Sequence, residues 1–212
     1  MPFLAYLFTA LGAYLCGSIP TGFLVARARG IDIRAHGSGN IGATNVFRIL
    51  GKGPGIFVLL TDALKGALPV LLLPRWIGHA TGSEAVPYEM IAALSAVLGH
   101  NFSCWLKFKG GKGVATSAGV LAAMVPLPFL ATLTGFLVVL GISRYVSLAS
   151  IVGAAILPFA VALIPPGDRR LVILTAVLSV LAIVRHKANI GRLMNGTERR
   201  IGQPKPTEPA TP

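Results

Sequence analysis

The sequence predicts an all-α integral membrane protein, built as a bundle of seven transmembrane helices. The chain has 212 residues, of which 54% are hydrophobic and only 12% are charged, whereas soluble domains carry about 25% charged residues. Several apolar runs approach the ~20 residues that a helix needs to span a bilayer. These runs are continuously apolar and do not alternate with polar residues, which indicates helices and not the strands of a barrel.

Seven apolar segments account for the predicted spans. They are residues 3–26, 54–74, 88–105, 114–125, 127–143, 147–165 and 170–185. We expect two of these helices, 114–125 and 127–143, to be short. Pro126 and Pro128 divide what would otherwise be one long run, because proline cannot continue a helix without losing a hydrogen bond. No basic residue precedes Arg27, so the first segment lacks the basic start of a cleaved signal peptide and we expect it to be retained.

Basic residues predict the orientation, because they gather in the cytoplasmic loops of membrane proteins. They cluster in loop 27–52, in loop 107–112 and after residue 184. We therefore place these three regions in the cytoplasm, together with Arg144. This puts the N-terminus outside and the C-terminus in the cytoplasm.

The chain shows no internal boundary or convincing repeat. We expect one membrane-embedded domain over residues 1–202 and a disordered, proline-rich cytoplasmic tail over residues 203–212. The net charge of +12 is explained by the cytoplasmic loops, so membrane lipid is the expected partner and nucleic acid is not. The same basic loops would attract an anionic substrate from the cytoplasm.

The first cytoplasmic loop combines glycines, polar side chains and arginine in a pattern suited to an anionic headgroup. Residues 32–48 read DIRAHGSGNIGATNVFR. Glycine permits close approach of the backbone, and arginine binds a phosphate with two parallel hydrogen bonds. The candidate residues in this loop are Gly37, Ser38, Gly39, Asn40, Thr44, Asn45 and Arg48. The alternative is a flexible, solvated connection between two spans.

A second candidate loop, FKGGKGVAT at residues 108–116, resembles a phosphate-binding loop because it has three glycines and a lysine in four consecutive positions. It is not a Walker A motif, because Gly113 follows Lys112 where that motif needs Ser or Thr. Backbone N–H groups at a helix start, together with a lysine, still bind an anion. The candidate residues here are Gly110, Gly111, Lys112, Gly113 and Thr116. The alternative is a basic loop made flexible by its glycines.

The C-terminal third adds polar residues at the membrane boundary. His186 and Asn189 are three residues apart and share a helix face. We expect a structural role for Glu198, either holding nearby arginines or ordering a loop through backbone N–H bonds, because a carboxylate repels an anionic substrate. Ser147 and Ser150 also share a face, although serine in a membrane helix often bonds only to the turn below.

Asp62 and Lys65 lie three residues apart inside the second apolar segment. Isolated charges at membrane depth are costly, so we expect the two side chains to neutralise each other. Proton transport would also use such a pair, but structural pairing is the favoured interpretation.

We expect no metal and no cofactor. The cytoplasmic segments lack a carboxylate cluster of the kind that holds magnesium. They also lack an evident nucleophile–base–orienter arrangement. A reacting group would therefore have to arrive already activated.

With these loops identified, the chain resembles the bacterial acyl-phosphate-dependent glycerol-3-phosphate acyltransferases over nearly its whole length. The matching stretches are GSIPTGFLVAR (17–27), HGSGNIGATNVFR (36–48), DALKG (62–66), GHNFSCWLKFKGGKGVAT (99–116) and RHKANIGRLMNGTE (185–198). The resemblance implies a seven-helix enzyme of the bacterial inner membrane with its active site on the cytoplasmic face. It would transfer an acyl group from acyl phosphate to the 1-hydroxyl of glycerol 3-phosphate. The products would be lysophosphatidic acid and phosphate, in the first acylation of phospholipid synthesis.

The resemblance also implies roles for individual residues. Catalytic roles fall on Ser38, Arg48, Lys112, Ser150, His186 and Asn189. It implies that the second loop binds glycerol 3-phosphate, and hand-off to acyl-phosphate-making and second-step acyltransferase enzymes fits this role. The general base stays open between His186 and a substrate phosphate. The rival functions are a transporter or channel for a phosphorylated metabolite, and a scaffold for other lipid enzymes.

Overall fold

The computed structural model describes residues 2–81, 84–165 and 167–203 of the chain. Within these ranges the chain forms helices, turns and loops, and no β-strand. The α-helices are α1 Pro2–Ser18, α2 Thr21–Arg27, α3 Ala43–Leu50, α4 Lys52–Thr81, α5 Ala85–Asn101, α6 Val114–Met124, α7 Pro126–Ser143, α8 Val146–Leu163, α9 Arg169–Arg185 and α10 Lys187–Met194. Single turns of 3-10 helix lie at Ile33–Ala35 and Cys104–Leu106. From residue 204 onward, the predicted disordered tail lies outside the described residues.

All seven predicted segments are helical where the structure describes them, and prolines lie at two of the breaks. The first segment is divided, because α1 ends at Ser18 and α2 begins directly after Pro20. Pro126 is the first residue of α7, after a break at Val125. Only α6 is short as predicted, with 11 residues, whereas α7 has 18. Pro128 does not shorten α7, because the N–H groups of the first helical turn have no intrahelical partner to lose.

Four stretches among the described residues are long and apolar enough to cross a membrane. They are residues 3–27, 52–77, 126–143 and 146–163. The pair α9 and α10, bent by 56° at their junction, adds a fifth if it is counted as one broken span. The 11 residues of α6 extend only about 16 Å, roughly half of the hydrocarbon core. The chain is therefore a multi-pass membrane protein, while seven spans and the orientation of its termini remain predictions.

Glycines allow the central helices to pack backbone to backbone. Helix α5 packs against α1 and α4, and α4 also packs against α6. A Cβ atom on Gly17 would collide with the carbonyl of Ala96, and one on Gly99 would collide with the carbonyl of Tyr14. Small residues at such contacts let membrane helices approach closely, which increases their van der Waals contact. This packing brings the last turns of α1 and α5 together, where the Ser103 hydroxyl donates to the carbonyl of Ser18 at 2.6 Å.

The charged pair inside α4 is formed as predicted. Lys65 Nζ lies 2.7 Å from Asp62 Oδ1, and the two side chains are only 6% and 2% exposed. The ammonium group of Lys65 also donates to the carbonyl of Ile19 at 2.6 Å, in the break between α1 and α2. The pair therefore also ties α4 to the break between α1 and α2, because the Ile19 carbonyl accepts hydrogen bonds from both Lys65 and the N–H of Thr21.

We expect Gly99→Ala to destabilise the protein, because its methyl group would meet the backbone of Tyr14, which cannot move aside as a flexible side chain would. Overpacking of this kind costs about 1–3 kcal/mol. Thermal unfolding of the detergent-purified protein should give a lower Tm. The matched control is Gly141→Ala in α7, where a Cβ atom has no neighbour within 4 Å. There Tm should hold or rise, because alanine favours the helix. An equal loss in both variants would contradict the close α1–α5 contact.

Candidate active site

A buried carboxylate connects separate parts of the chain. Glu198 follows α10 and is only 7% exposed. Its Oε1 accepts hydrogen bonds from the Ser147 hydroxyl on α8 and from the Asn189 amide on α10, each at 2.7 Å. Its Oε2 accepts from Arg192 Nε at 2.6 Å. The bond to Arg192 shows that Glu198 holds one nearby arginine.

Hydrogen bonding keeps this carboxylate charged despite its burial. Burial by itself would raise the pKa of Glu198, because it disfavours the charged form. The hydrogen bonds from Ser147, Asn189 and Arg192 favour the carboxylate and outweigh burial, so the pKa of Glu198 is lowered. Glu198 is therefore an anion at neutral pH and can orient its donors.

The network continues to the lysine of the glycine loop. Lys112 Nζ donates a hydrogen bond to Asn189 Oδ1, so Asn189 bridges Lys112 and Glu198. Burial lowers the pKa of Lys112 from its usual 10.5 to about 8, the charge of Glu198 opposes this shift, and nearby arginines, Arg192 above all, add to it. Lys112 therefore remains mostly protonated at neutral pH, as a ligand for a phosphate dianion requires.

The glycine loop is fixed by its own backbone, which changes the role predicted for two of its glycines. The N–H groups of Gly110 and Gly111 donate to the carbonyls of Asn101 and His100, at 3.2 and 3.0 Å. Their carbonyls accept hydrogen bonds from the guanidinium group of Arg185, at 2.8 to 3.1 Å. These two amides are therefore bonded to the end of α5 and are not free to bind an anion.

The remaining residues of this loop lead into α6. Gly113 has a φ of +80°, a left-handed conformation that favours glycine. Thr116 is fully buried in the contact between α6 and α4, where its carbonyl faces Gly66. Its hydroxyl has no hydrogen-bond partner among the described residues. The structure thus places Thr116 between two helices and outside the hydrogen-bond network around Glu198.

Asn45 organises the first loop from inside. It is buried, and its Oδ1 accepts the N–H of Ser38 at 3.0 Å. Its Nδ2 donates to the carbonyls of His36 and Asn40 at 3.0 and 2.9 Å. Asn40 Oδ1 in turn accepts the N–H of Gly42 at 2.8 Å. The side chains of Asn45 and Asn40, predicted to bind substrate, are thus bonded to the backbone of their own loop.

Two left-handed glycines present Ser38 at the surface. Gly37 and Gly39 have φ angles of +61° and +68°, and a Cβ atom on Gly37 would collide with the Asn45 side chain. The side chain of Ser38 between them is exposed, and Thr44 is half-buried in the first turn of α3. The loop therefore holds Ser38 on a rigid turn that is open to a ligand.

Arg48 links the first loop to the C-terminal segment. It lies on α3, and its Nη2 donates to the carbonyl of Arg199 at 3.3 Å. Arg199 directly follows Glu198 in the chain. The structure therefore brings Arg48 beside the network of Lys112, Asn189 and Glu198.

Ser150 and His186 make local hydrogen bonds. The Ser150 hydroxyl donates to the carbonyl one turn below it at 2.8 Å. His186 Nδ1 lies 2.8 Å from the carbonyl of Ala182, so a neutral His186 carries its proton on Nδ1. His186 is buried, and it is close enough to Lys112 and Glu198 to interact with their charges.

Three residues that contact the network or the glycine loop were not among the predicted site residues. Ser147, not Ser150, bonds Glu198, and Arg192 and Arg185 hold the carboxylate and the glycine loop. The three-residue spacing of Arg192 from Asn189 places both on one helix face and could have identified Arg192. No local signal identifies Arg185, because the carbonyl it binds most closely lies 74 residues away along the chain.

The assembled groups are chemically suited to an anion. Lys112, Arg48 and Arg192 supply positive charge, and Glu198 is bonded to neutral and cationic donors. No group of three or more His, Cys, Asp or Glu residues lies together in the part of the chain that the structure describes. The site therefore presents donors to a ligand, in the manner of a phosphate site.

Comparison with known proteins gives a consistent result. A family model described as glycerol-3-phosphate acyltransferase matches residues 7–196. A glycerol-3-phosphate acyltransferase of Trichlorobacter lovleyi is 46% identical over 93% of this chain and 98% of its own. The corresponding protein of Geobacter sulfurreducens is 50% identical over 89% of this chain and 94% of its own.

Two crystal structures resemble this fold. Both are of PlsY (YgiH), described as an integral membrane glycerol 3-phosphate acyltransferase, at 38% identity. The glycerol 3-phosphate form has a TM-score of 0.84 and covers 93% of this chain and 96% of that one. The lysophosphatidic acid form has a TM-score of 0.80 and covers 93% and 95%.

We expect the amine of Lys112 to titrate near pH 8, because burial lowers its pKa to about 8. The measurement is the rate at which an amine-specific reagent labels Lys112, followed by mass spectrometry across pH. Glu198→Gln should move the midpoint to lower pH, because the carboxylate charge favours the ammonium form.

The control for this titration is Glu84→Gln at the opposite end of α5, which removes the same charge and should leave the midpoint unchanged. A midpoint near the usual 10.5, or an upward shift in Glu198→Gln, would contradict the proximity of the two groups.

Proposed function

Because this chain belongs to the glycerol-3-phosphate acyltransferase family of integral membrane proteins, we propose that it transfers an acyl group from acyl phosphate to the 1-hydroxyl of glycerol 3-phosphate. The products are lysophosphatidic acid and inorganic phosphate, in the first acylation of phospholipid synthesis. The observation that carries this proposal is the Lys112–Asn189–Glu198 network with Arg48 beside it. It gathers donors for a phosphate at the ends of membrane helices, where an acyl chain can enter from the bilayer.

Glycerol 3-phosphate is bound by the cationic part of the site. Lys112 and Arg48 neutralise its phosphate, and Asn189 aligns the lysine. Ser150 and His186 complete the pocket in this proposal; in the structure each side chain makes a local hydrogen bond. Hydrogen bonds between ionised groups are about twice as strong as neutral ones, so charge supplies most of the affinity.

Acyl phosphate is bound by the first loop. The exposed Ser38 donates to the donor phosphate or to the oxygen that becomes negative during the reaction. The N–H groups of Ser38 and Gly39 are already bonded within the loop, so the Ser38 hydroxyl carries this role. Loss of one such donor typically costs about 2.7–4 kcal/mol in the transition state.

The reaction is a direct transfer without an acyl-enzyme. The glycerol oxygen forms a bond to the acyl carbon, and the bond from that carbon to the phosphate oxygen breaks. Phosphate leaves readily from the mixed anhydride, so the protein needs no nucleophile. The hydroxyl proton passes to a substrate phosphate, with His186 as the alternative acceptor.

The location follows from the same proposal. Basic loops on the cytoplasmic face of the bacterial inner membrane hold the headgroups, with the N-terminus outside and the C-terminus inside. Both substrates are then available at this face. Enzymes that make acyl phosphate and that carry out the second acylation are the expected partners for hand-off.

Purified protein in detergent should form radiolabelled lysophosphatidic acid from acyl phosphate and labelled glycerol 3-phosphate. Product without vesicles excludes a purely transport role. Lys112→Ala should raise the KM for glycerol 3-phosphate by about 10- to 100-fold, as expected for loss of a charged hydrogen bond.

The matched control is Lys109→Ala, an exposed lysine in the same loop, which should retain activity. Absence of product from the wild-type protein contradicts the proposed function. Equal effects of the two lysine substitutions contradict the assigned site.

His186→Gln should raise the KM for glycerol 3-phosphate while preserving the shape of the pH profile of kcat, because a substrate phosphate accepts the proton. The measurement is kcat against pH at saturating concentrations of both substrates. Loss of the alkaline plateau with unchanged substrate binding would instead assign the base to His186. Recovery of labelled acyl group covalently on the protein would rule out direct transfer.

A further inference from the structure

A buried polar cluster lies beneath the glycine loop, and the proposed reaction does not use it. His100, in the last turn of α5, is only 4% exposed. Its Nδ1 lies 3.9 Å from Asp62 Oδ1, which in turn pairs with Lys65 at 2.7 Å. Asn101 beside it is fully buried. Polar and charged groups at such depth lower stability unless their hydrogen bonds are complete.

These hydrogen bonds are not complete among the described residues. His100 Nδ1 and both polar atoms of the Asn101 amide have no hydrogen-bond partner there. An unpartnered buried polar group costs about 1–3 kcal/mol. Stability therefore does not explain His100 and Asn101, and a different reason for their position is needed.

The glycine loop lies directly on these two side chains. A Cβ atom on Gly111 would collide with His100 Nε2 and lie 3.0 Å from two carbons of the same ring. A Cβ atom on Gly113 would lie 2.7 Å from Asn101 Oδ1. The loop N–H groups bond the carbonyls of the same two residues of α5. The imidazole of His100 thus packs directly against the backbone of Gly111.

Lys112 lies between Gly111, which contacts His100, and Gly113, which contacts Asn101. The ammonium group of Lys112 donates a hydrogen bond to Asn189. The position of the loop backbone relative to α5 therefore decides whether Lys112 can make that hydrogen bond and also contact a phosphate. Hydrogen bonds weaken steeply as distance and angle depart from their optimum. A small movement of the His100 side chain would therefore displace Lys112 from the phosphate.

On the basis of the proposed function, we propose that His100 is a positioning residue for glycerol 3-phosphate, because its imidazole, set against the buried Asp62–Lys65 pair, supports Gly111 and so places Lys112. His100 touches no substrate. It acts through the backbone of the loop.

Two substitutions of His100 separate positioning from general support of the fold. Glutamine carries an amide to the place of Nε2, whereas the shorter asparagine reaches only the place of Nδ1. His100→Gln should keep the KM for glycerol 3-phosphate near that of the wild type. His100→Asn should raise it about tenfold, since misplacement by about 1 Å can cost even more. The KM for acyl phosphate should stay unchanged in both.

The affinity of each purified variant for glycerol 3-phosphate, measured by calorimetry without acyl phosphate, should follow the same order. His100→Gln should bind it about as tightly as the wild type, and His100→Asn should bind it more weakly. Tm and size-exclusion profiles are measured alongside. Wild-type affinity in His100→Asn, or a parallel rise of both KM values, overturns the positioning role. If the wild-type protein itself makes no product, the proposed function fails; if it is active and the His100 variants match it, only the positioning role fails.

A double substitution tests the contact itself. Gly111→Ala alone should weaken binding of glycerol 3-phosphate, because its methyl group collides with the imidazole. Adding His100→Ala removes the colliding atoms, so the double variant should bind more tightly than Gly111→Ala alone. A double variant that binds no better than Gly111→Ala would show that the imidazole does not support the loop.

Discussion

Burying the Glu198 carboxylate costs several kcal/mol unless its oxygens are satisfied, and the groups that satisfy them come from different parts of the chain. Ser147 arrives from α8, and Asn189 and Arg192 arrive from α10. Through Asn189 the same carboxylate also orients Lys112. Glu198 can therefore stay charged in the interior only if these hydrogen-bond donors are correctly placed. Its oxygens are satisfied only when α8 and α10 lie together, and Asn189 then brings Lys112 into the same network.

Close helix packing supplies the frame for this arrangement. Glycines on α1 and α5 bring their ends together, so the glycine loop can bond the last carbonyls of α5. Arg185, at the end of α9, then closes the loop from the other side. A loop bonded on both sides loses little entropy on binding a ligand, which favours affinity.

Under the proposed function, electrostatic alignment is the main task left to the protein, because acyl phosphate is already activated. Burial lowers the pKa of Lys112, and the charge of Glu198 opposes that shift. A phosphate bound in the site would neutralise the positive charges of Lys112, Arg48 and Arg192. Asn45 makes the first loop equally rigid, because its side chain bonds the loop at several points, so Ser38 is positioned before any substrate arrives.

The sequence alone determined the helical segments and the break at Pro126, because hydrophobic runs and proline act locally. It also identified the Asp62–Lys65 pair, since three residues along a helix bring side chains onto one face. Tertiary structure decided that Ser147 and not Ser150 bonds Glu198. It also decided that the amides of Gly110 and Gly111 serve α5 and not a ligand. These choices depend on partners distant in sequence, since Ser147 and Glu198 are 51 positions apart. No local pattern encodes which of two serines on one helix face the folded chain will bring into contact with Glu198.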